Sequence, residues 1–550
     1  MPKNVDVMIL TGGKVPKDLI SIFGEIPSGL VPINNRPIIY WIIDQLIRDG
    51  YKDLIVCVGF KKNKVKKFVS KNFHNKANIV FAEVDYRKKP GNSLLSGLNY
   101  VKKKNLLVIL GDTLIRKKLN LNDDTIFVSD EFKIEESYRW ALAENERGFL
   151  KRILDKERKL SPNDLKKNLN LIIGAYYFVD VNLLKKIAKN FSPEVSIEIS
   201  TILEEYNKKR PMKLLKTNQW YDVGHLDKYY SAKQKLFRYQ TRFFNILNYD
   251  GFLGIITKKS KDIEKFKNEI KWYLNLPRDI KAITPRILDF SLGEKPFLTL
   301  EYYNYPTLAE LYVFGEHTTY IWENIIEKTI NVLLKLFYPK KGKVSLDEYY
   351  EIYWKKLKKR ISQLIQTNKT FRRIFQYDTV FINNKPLKNF KHFENFIKSY
   401  IKRLYKKSDN CFIHGDYCFS NILYDIASGI IRVFDPRGKW GKTSYGDIKY
   451  DVAKLRHSII GGYDFIVNNL FDVKYSHNKI DYEVFIGKNY KNVMLYFDEK
   501  ISKYWNANDI KLIEGLLFLS MLPLHKDHLE RQLVMYSIGV ERLNEIFSVS

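Results

Sequence analysis

Short apolar runs separated by turn residues recur along the first half of the chain. Val5 to Leu10, Leu54 to Val58 and Leu106 to Leu110 are near-continuous rather than alternating. Such runs fit strands covered on both faces, as in a parallel sheet. Ile38 to Ile47 carries apolar residues at helical spacing, and Gly50 supplies the stop. The same reading predicts a helix opened by Pro90-Gly91 and ending near Val101, a strand at Gly174 to Phe178, and a helix from Ile199 to Tyr206. Leu226 to about Phe244 reads as an aromatic, lysine-rich helix. It lacks a Gly/Ser linker, so the two halves are expected to pack together. Beyond it come a strand at Phe252 to Thr257, an amphipathic helix carrying Glu264, Glu269 and Trp272, and a strand at Leu298 to Tyr303. Residues 318–410 read as helical with a turn near Asn383-Asn384-Lys385-Pro386. Cys411 to Ile413 and Ile430 to Phe434 read as short buried strands, and helices are expected from Leu455 onward.

A chain of 550 residues predicts two or more domains, and 45% hydrophobic residues is ordinary for folded protein. Charge changes the picture more. Lys and Arg number 93 against 62 Asp and Glu, a net charge of +31 spread through the chain. That admits a nucleic-acid binder or an enzyme of anionic small substrates such as nucleotides and sugar phosphates. The second is favoured, because no basic-aromatic module of an RNA-binding type is present. Cys57, Cys411 and Cys418 are too few and too scattered for a disulfide framework or a zinc site. The opening MPKNVDVMIL places Asp6 inside a short apolar run, unlike a signal peptide, and no run approaches the roughly 18 residues of a membrane span. A cytoplasmic protein is expected. The 14% of aromatic residues fits core better than a cage for a quaternary ammonium.

Candidate chemistry concentrates in Cys411 to Gly438, CFIHGDYCFSNILYDIASGIIRVFDPRG. Each apolar run there leads to a carboxylate, Asp416 and Asp435, with Asn421 between. Phosphoryl transfer needs a carboxylate to orient a hydroxyl, and an amide and a carboxylate for Mg²⁺. His-x-Asp-x₄-Asn, then a strand and a second Asp, resembles the catalytic and metal loops of the aminoglycoside phosphotransferase and choline kinase group. Gly446-Asp447-Ile448-Lys449-Tyr450-Asp451-Val452-Ala453 is similar to the segment that follows in that group, where the second Asp, here Asp451, braces the catalytic loop. The resemblance implies Asp416 as the catalytic carboxylate and Asn421 and Asp435 as Mg²⁺ ligands. Pro436-Arg437-Gly438 stands where protein kinases have Phe-Gly, and Arg437 is expected to face an anionic substrate or phosphate. Lys258, with Lys259 as competitor, fits the strand lysine on the ATP phosphates, and Glu269 its helix partner. Leu298 to Tyr303, containing Glu301, resembles the hinge that binds adenine. No Gly-rich loop precedes the lysine strand.

The first half resembles the sugar nucleotidyltransferases, which join an NTP to a sugar phosphate and release pyrophosphate. Gly12 and Gly13 match the first two glycines of that family's opening loop, and Leu30, Pro32 and Pro37 match its proline segment. The third glycine is Val15, the arginine falls on Lys17, and the P-K lysine falls on Ser28. Lys14 and Lys17 are therefore expected to supply the cationic clamp on the triphosphate. Gly91 and Asn92 fall on the segment that contacts the base. Asp112 ends the third strand, and Asp222 lies in Gln219-Trp220-Tyr221-Asp222-Val223-Gly224-His225. Both fall on the family's Mg²⁺ carboxylates. Lys156 and Glu198 fall on its sugar-binding half.

The resemblances imply an α/β chain: a doubly wound Rossmann-like nucleotidyltransferase domain over 1–235, then an α+β protein-kinase-like phosphotransferase domain over 236–550. The implied activity is bifunctional. ATP phosphorylates a sugar or small alcohol, and a second NTP converts the phosphate to an NDP-activated precursor for capsule or other surface glycans. Mg²⁺ is the expected cofactor and the partners are small molecules, without nucleic acid or a membrane span; a homo-oligomer is allowed. Three alternatives stay open: a choline kinase joined to a phosphocholine cytidylyltransferase, a kinase with a nucleotide-sugar-sensing first domain, and a basic nucleic-acid-binding scaffold.

Overall fold

A computed structural model describes residues 4–117, 121–131, 138–156, 164, 168–192, 194–236, 245–487 and 489–547. Contacts divide the chain into two compact units, Met1–Lys233 with Phe314–Glu316, and Gln234–Val313 with His317–Ser550.

The first unit is built on a nine-stranded mixed sheet. Its strands are β1 (Asp6–Thr11), β2 (Asp53–Val58), β3 (Asn78–Glu83), β4 (Leu106–Leu110), β5 (Thr125–Ser129), β6 (Leu142–Glu146), β7 (Phe149–Leu154), β8 (Leu169–Phe178) and β9 (Lys213–Lys216), in the order β3-β2-β1-β4-β8-β5-β9-β7-β6. β1 runs parallel to both β2 and β4, and β2 to β3. Every residue of β1 is buried, which is why its sequence is continuously apolar. Crossover helices join these strands, among them α1 (Ile38–Arg48) and α2 (Pro90–Gly97). α1 buries one apolar face and stops where Gly50 adopts φ 90°. Strand ends β1 and β4 lie side by side, so the Gly12-Gly13 turn and Asp112 emerge from the same edge of the sheet.

The second unit opens with a four-stranded antiparallel sheet. β10 (Asn245–Asp250), β11 (Ile255–Ser260), β12 (Ile287–Ser291) and β13 (Phe297–Glu301) run in the order β10-β11-β13-β12. α3 (Ile263–Leu274) follows β11 and buries Phe266, Glu269, Ile270, Trp272 and Tyr273. The rest is mainly helical. It includes α4 (Lys356–Thr367), α5 (Ile448–Ile459) and two long packed helices, α6 (Ala507–Met521) and α7 (Leu529–Phe547).

Three expectations need correction. The strand predicted at Phe252 to Thr257 begins at Ile255; Phe252 and Leu253 are exposed and Gly254 turns with φ 63°. The apolar run misled because two of its residues face solvent. Residues 318–410 are not uniformly helical, because Thr379–Ile382 and Lys385–Lys388 pair as a hairpin around Asn383-Asn384. A second hairpin, Phe471–Ser476 with Lys479–Val484, interrupts the helices expected after Leu455. The helix predicted from Leu226 to about Phe244 is seen as Leu226–Leu236, and residues 237–244 lie outside the described residues. Asn410–Phe412 pairs with Tyr445–Asp447, and Ile422–Tyr424 with Ile431–Val433.

Two candidate active sites

In the first unit the chain leaves β1 at Thr11 and turns through Gly12 and Gly13. Their carbonyls accept hydrogen bonds from the amides of Phe60 and Ser28, at 2.8 and 3.1 Å. A Cβ on Gly13 would meet open space. Val15, at the third glycine position, is buried and donates its amide to Ile26. Lys14 Nζ lies 2.8 Å from Glu25 Oε1, so this lysine arrives already paired. Lys17 sits exposed nearby at the start of the helix Lys17–Phe23.

Asp112 and Asp222 converge at the end of β4. Thr113–Ile115 pairs with Trp220–Asp222, setting Thr113 opposite Asp222. The Asp112 carbonyl takes the Val223 amide at 3.0 Å, and Asp222 Oδ1 takes the Gly224 amide at 2.7 Å. A Cβ on Gly224 would stand 2.9 Å from Asp112 Oδ2 and 3.1 Å from Asp222 Oδ1, so both carboxylates crowd one glycine. Burial, and then the neighbouring Asp222, push Asp112 up to about 6. The one ion-pair partner that the pair has among the described residues is His225, 3.0 Å from Asp222 Oδ2. Two adjacent carboxylates with neither Lys nor Arg between them suit a hard divalent cation that completes its shell with phosphate oxygens and water. Among the described residues no cluster of three or more His, Cys, Asp or Glu forms a closed metal site.

The remaining expected residues flank this edge. Gly91 packs on the backbone of Ile197 and Glu198. The Asn92 amide group is used on the same segment, donating to the Val195 carbonyl at 2.7 Å and accepting from the Ile197 amide at 2.8 Å. Asn92 thus fixes this wall rather than presenting a free edge to a base. Lys156 and Lys89 both approach Glu198 Oε1, at 3.5 and 3.3 Å.

In the second unit Lys258 and Lys259 lie on opposite faces of β11. Lys259 is exposed. Lys258 Nζ reaches Glu269 Oε1 and Oε2 at 2.8 and 2.9 Å and Asp435 Oδ1 at 2.6 Å. Burial opposes the ammonium charge, but Asp435 and Glu269 outweigh it and hold Lys258 above its ordinary range. Burial pushes Glu269 up to about 7. Asp435 itself adopts φ 55°, a left-handed conformation that aspartate tolerates and that turns the chain sharply after the strand Ile431–Val433.

Asp416 lies on the loop between the strands Asn410–Phe412 and Ile422–Tyr424. Asn421 Nδ2 donates to its carbonyl and to its Oδ2, at 2.9 and 3.1 Å. Asp451, buried at the start of α5, accepts the amides of His414 and Gly415 at 2.8 Å each. Gly415 has φ 74°, and a Cβ there would come within 2.9 Å of Arg437 Cβ, so glycine is needed at this turn. Burial drops His414 to about 4, so it is neutral, and its Nε2 bonds the Phe434 carbonyl at 3.1 Å. Arg437 donates to Tyr450 Oη at 2.9 Å. Glu301 sits at the end of β13, accepting the Tyr303 hydroxyl at 2.8 Å.

Lys454 was not singled out in the sequence. Its Nζ lies 2.9 Å from Asp416 Oδ1, and the carboxylate more than offsets the burial that opposes its charge. The available signal was its place one helical turn after Asp451.

The first part of the chain, about 42% of its length, is similar to sugar-phosphate nucleotidyltransferases. Over this region the chain is 21% identical, along 243 residues, to D-glycero-alpha-D-manno-heptose 1-phosphate guanylyltransferase of Aneurinibacillus thermoaerophilus, covering 43% of this chain and 100% of that protein. It is 25% identical along 233 residues to the enzyme of the same name from Campylobacter jejuni subsp. jejuni serotype O:2, covering 41% and 97%. Among solved structures, HddC from Yersinia pseudotuberculosis complexed with GMP-PN is 21% identical, covering 42% of this chain and 99% of that one at a TM-score of 0.33. No family model matches the chain. Among the described residues no helix is long and apolar enough to cross a membrane.

Proposed function

We propose that the chain is a bifunctional enzyme that makes an NDP-activated precursor of the kind used for capsule or other surface glycans. The observation that carries the kinase half is the Lys258–Glu269–Asp435 triplet standing across from the Asp416–Asn421 loop. Asp416, half open to solvent, orients the acceptor hydroxyl and receives its proton. The hydroxyl oxygen bonds to the γ-phosphorus while the bond to the β–γ bridging oxygen breaks, and ADP leaves. Lys258 steadies the phosphates; Asn421 and Asp435 are the residues that would hold Mg²⁺, which neutralises charge on the phosphates. Glu301, at the β13 end, marks the adenine hinge.

In the first unit Asp112 and Asp222 would hold Mg²⁺. A sugar-phosphate oxygen attacks the α-phosphorus, the α–β bridge breaks, and pyrophosphate leaves. Gly12, Gly13, Lys14 and Lys17 face the triphosphate, Gly91 and Asn92 shape the base wall, and Lys156 and Glu198 serve the sugar. Positioning and electrostatics supply most of the rate. The names of the two relatives put guanylyl transfer to a heptose 1-phosphate first among the reactions to test.

A pyrophosphate-release screen of CTP, UTP, GTP, ATP and dTTP against sugar 1-phosphates and phosphocholine tests this half. Release with one pair, lost in Asp112→Ala, supports it. A second reading is favoured by buried Val15 and by the Lys14–Glu25 pair, which weaken the phosphate loop. In it the first unit senses a nucleotide sugar and regulates the kinase, and the screen stays silent while ATP turnover continues.

A further inference from the structure

Two helices of the second unit carry three cations near Asp416 and hold a fourth, Arg437, through Tyr450. Lys356 and Arg360 lie one turn apart on α4, and Tyr450 and Lys454 one turn apart on α5. Tyr450 holds Arg437, whose guanidinium carbon also sits 5.7 Å from the centre of its ring. Lys454 holds Asp416. Arg360 donates to the Ser520 carbonyl at 2.9 Å. Lys356 borders one small void together with Tyr450, which holds Arg437, and Ser520, which holds Arg360.

Among the described residues neither Lys356, Arg360 nor Arg437 forms an ion pair with a carboxylate. Asp416 is the acid that favours the Lys356 charge, and it is already paired with Lys454. Burial, then Arg437, Arg360 and Lys454, hold the Lys356 amine well below its ordinary range. Burial, with Arg437 adding to it, lowers Arg360 too. An exposed lysine in a lysine-rich chain calls for no partner. Half-buried cations that repel one another do, because their desolvation is offset only when an anion arrives.

We propose that the acceptor of the second unit is itself an anion, a hydroxyl compound that also bears a carboxylate or a phosphate, bound through that group by Lys356, Arg360 and Arg437 beside Asp416. The proposal rests on the kinase reading of this unit. The nucleotide phosphates have their own lysine, Lys258, on the Asp435 side. The cluster is tied to Asp416 through α5, where Tyr450 holds Arg437 and Lys454, one turn on, holds Asp416. A cationic alcohol such as choline would be repelled there, which weighs against the choline kinase alternative.

The test uses the full chain with Mg²⁺ and ATP. ADP release is measured with sugar acids, sugar monophosphates, the matching neutral sugars and choline. An anionic acceptor is expected to exceed its neutral counterpart at least about tenfold in kcat/KM. Lys356→Met should raise the KM of that acceptor about ten- to a hundredfold, as expected for loss of a charged contact. Lys356→Arg should restore most of it. The sugar-acid and sugar-phosphate arms separate carboxylate from phosphate. In parallel, glycerate and a hexose phosphate are titrated calorimetrically into wild type and Lys356→Met, each saturated with Mg²⁺ and a non-hydrolysable ATP analogue. Equal turnover of neutral sugars or choline, a loss that falls on the KM for ATP, or titrations that Lys356→Met leaves unchanged would each overturn the proposal. ATP turnover that survives both Asp416→Asn and Asp435→Ala would instead remove the kinase reading beneath it.

Discussion

Asp112 is the residue whose ionisation says most. In the folded protein its carboxyl titrates near 6, so folding favours its protonated form. The unfolded carboxyl titrates near the ordinary 3.8. The associated stability is present in full below that lower value and is lost as pH rises through 6. Above pH 6 the ionised pair costs on the order of 3 kcal/mol. Asp112→Asn is therefore expected to raise the thermal midpoint of the metal-free protein at pH 7.5 and to raise it only about a third as much at pH 4.5. Differential scanning fluorimetry at both pH values checks this. The same variant should lose pyrophosphate release. At Asp416, replacement by asparagine removes the proposed proton acceptor but keeps the shape. ATP-dependent phosphoryl transfer should fall by about a hundredfold or more, measured as ADP release.

At the scale of elements, Asp451 joins α5 to the catalytic loop by accepting two backbone amides. Asp451→Asn turns one acceptor into a donor facing a buried N–H. A loss of about 1–3 kcal/mol in stability is expected, together with a collapse of kinase activity. Urea titration and ADP release report the two effects separately. The hairpin around Asn383-Asn384 has φ of 48° and 63°, the geometry of a type I′ turn. Asn384→Gly should stabilise the second unit by about 0.5 kcal/mol, read as a higher urea midpoint at constant slope. This hairpin also shows where the sequence was opaque. Its strand Lys385–Lys388 is half lysine and nearly all exposed, so no apolar alternation announced it. By contrast β1, β2 and β4 were legible because burial on both faces demands unbroken apolar residues. The Gly-Asp step after β4 and the His-x-Asp-x₄-Asn loop were legible because their spacing is local. Lys356 and Arg360 were not. They lie about 60 residues from Asp416 in a chain full of lysine, and only the packing of α4 near α5 singles them out.

For the molecule as a whole, the two units have separate cores and separate candidate chemistry. Asp112→Ala should abolish pyrophosphate release while ATP-dependent phosphoryl transfer continues, and Asp416→Asn should do the reverse. Assaying both reactions on both variants tests this independence; loss of both activities from either change would contradict it. The resting charge of the two sites has a further consequence. In the first, two carboxylates crowd one glycine, and among the described residues neither forms an ion pair with a lysine or arginine. In the second, Lys258 already satisfies Asp435, and Lys454 already satisfies Asp416. A divalent ion entering the first site relieves repulsion by itself. At the second it must evict a lysine, which then needs the nucleotide phosphates to go to. Free Mg²⁺ should therefore load the chain in sequence: one site from metal alone, the other only as a metal–nucleotide pair.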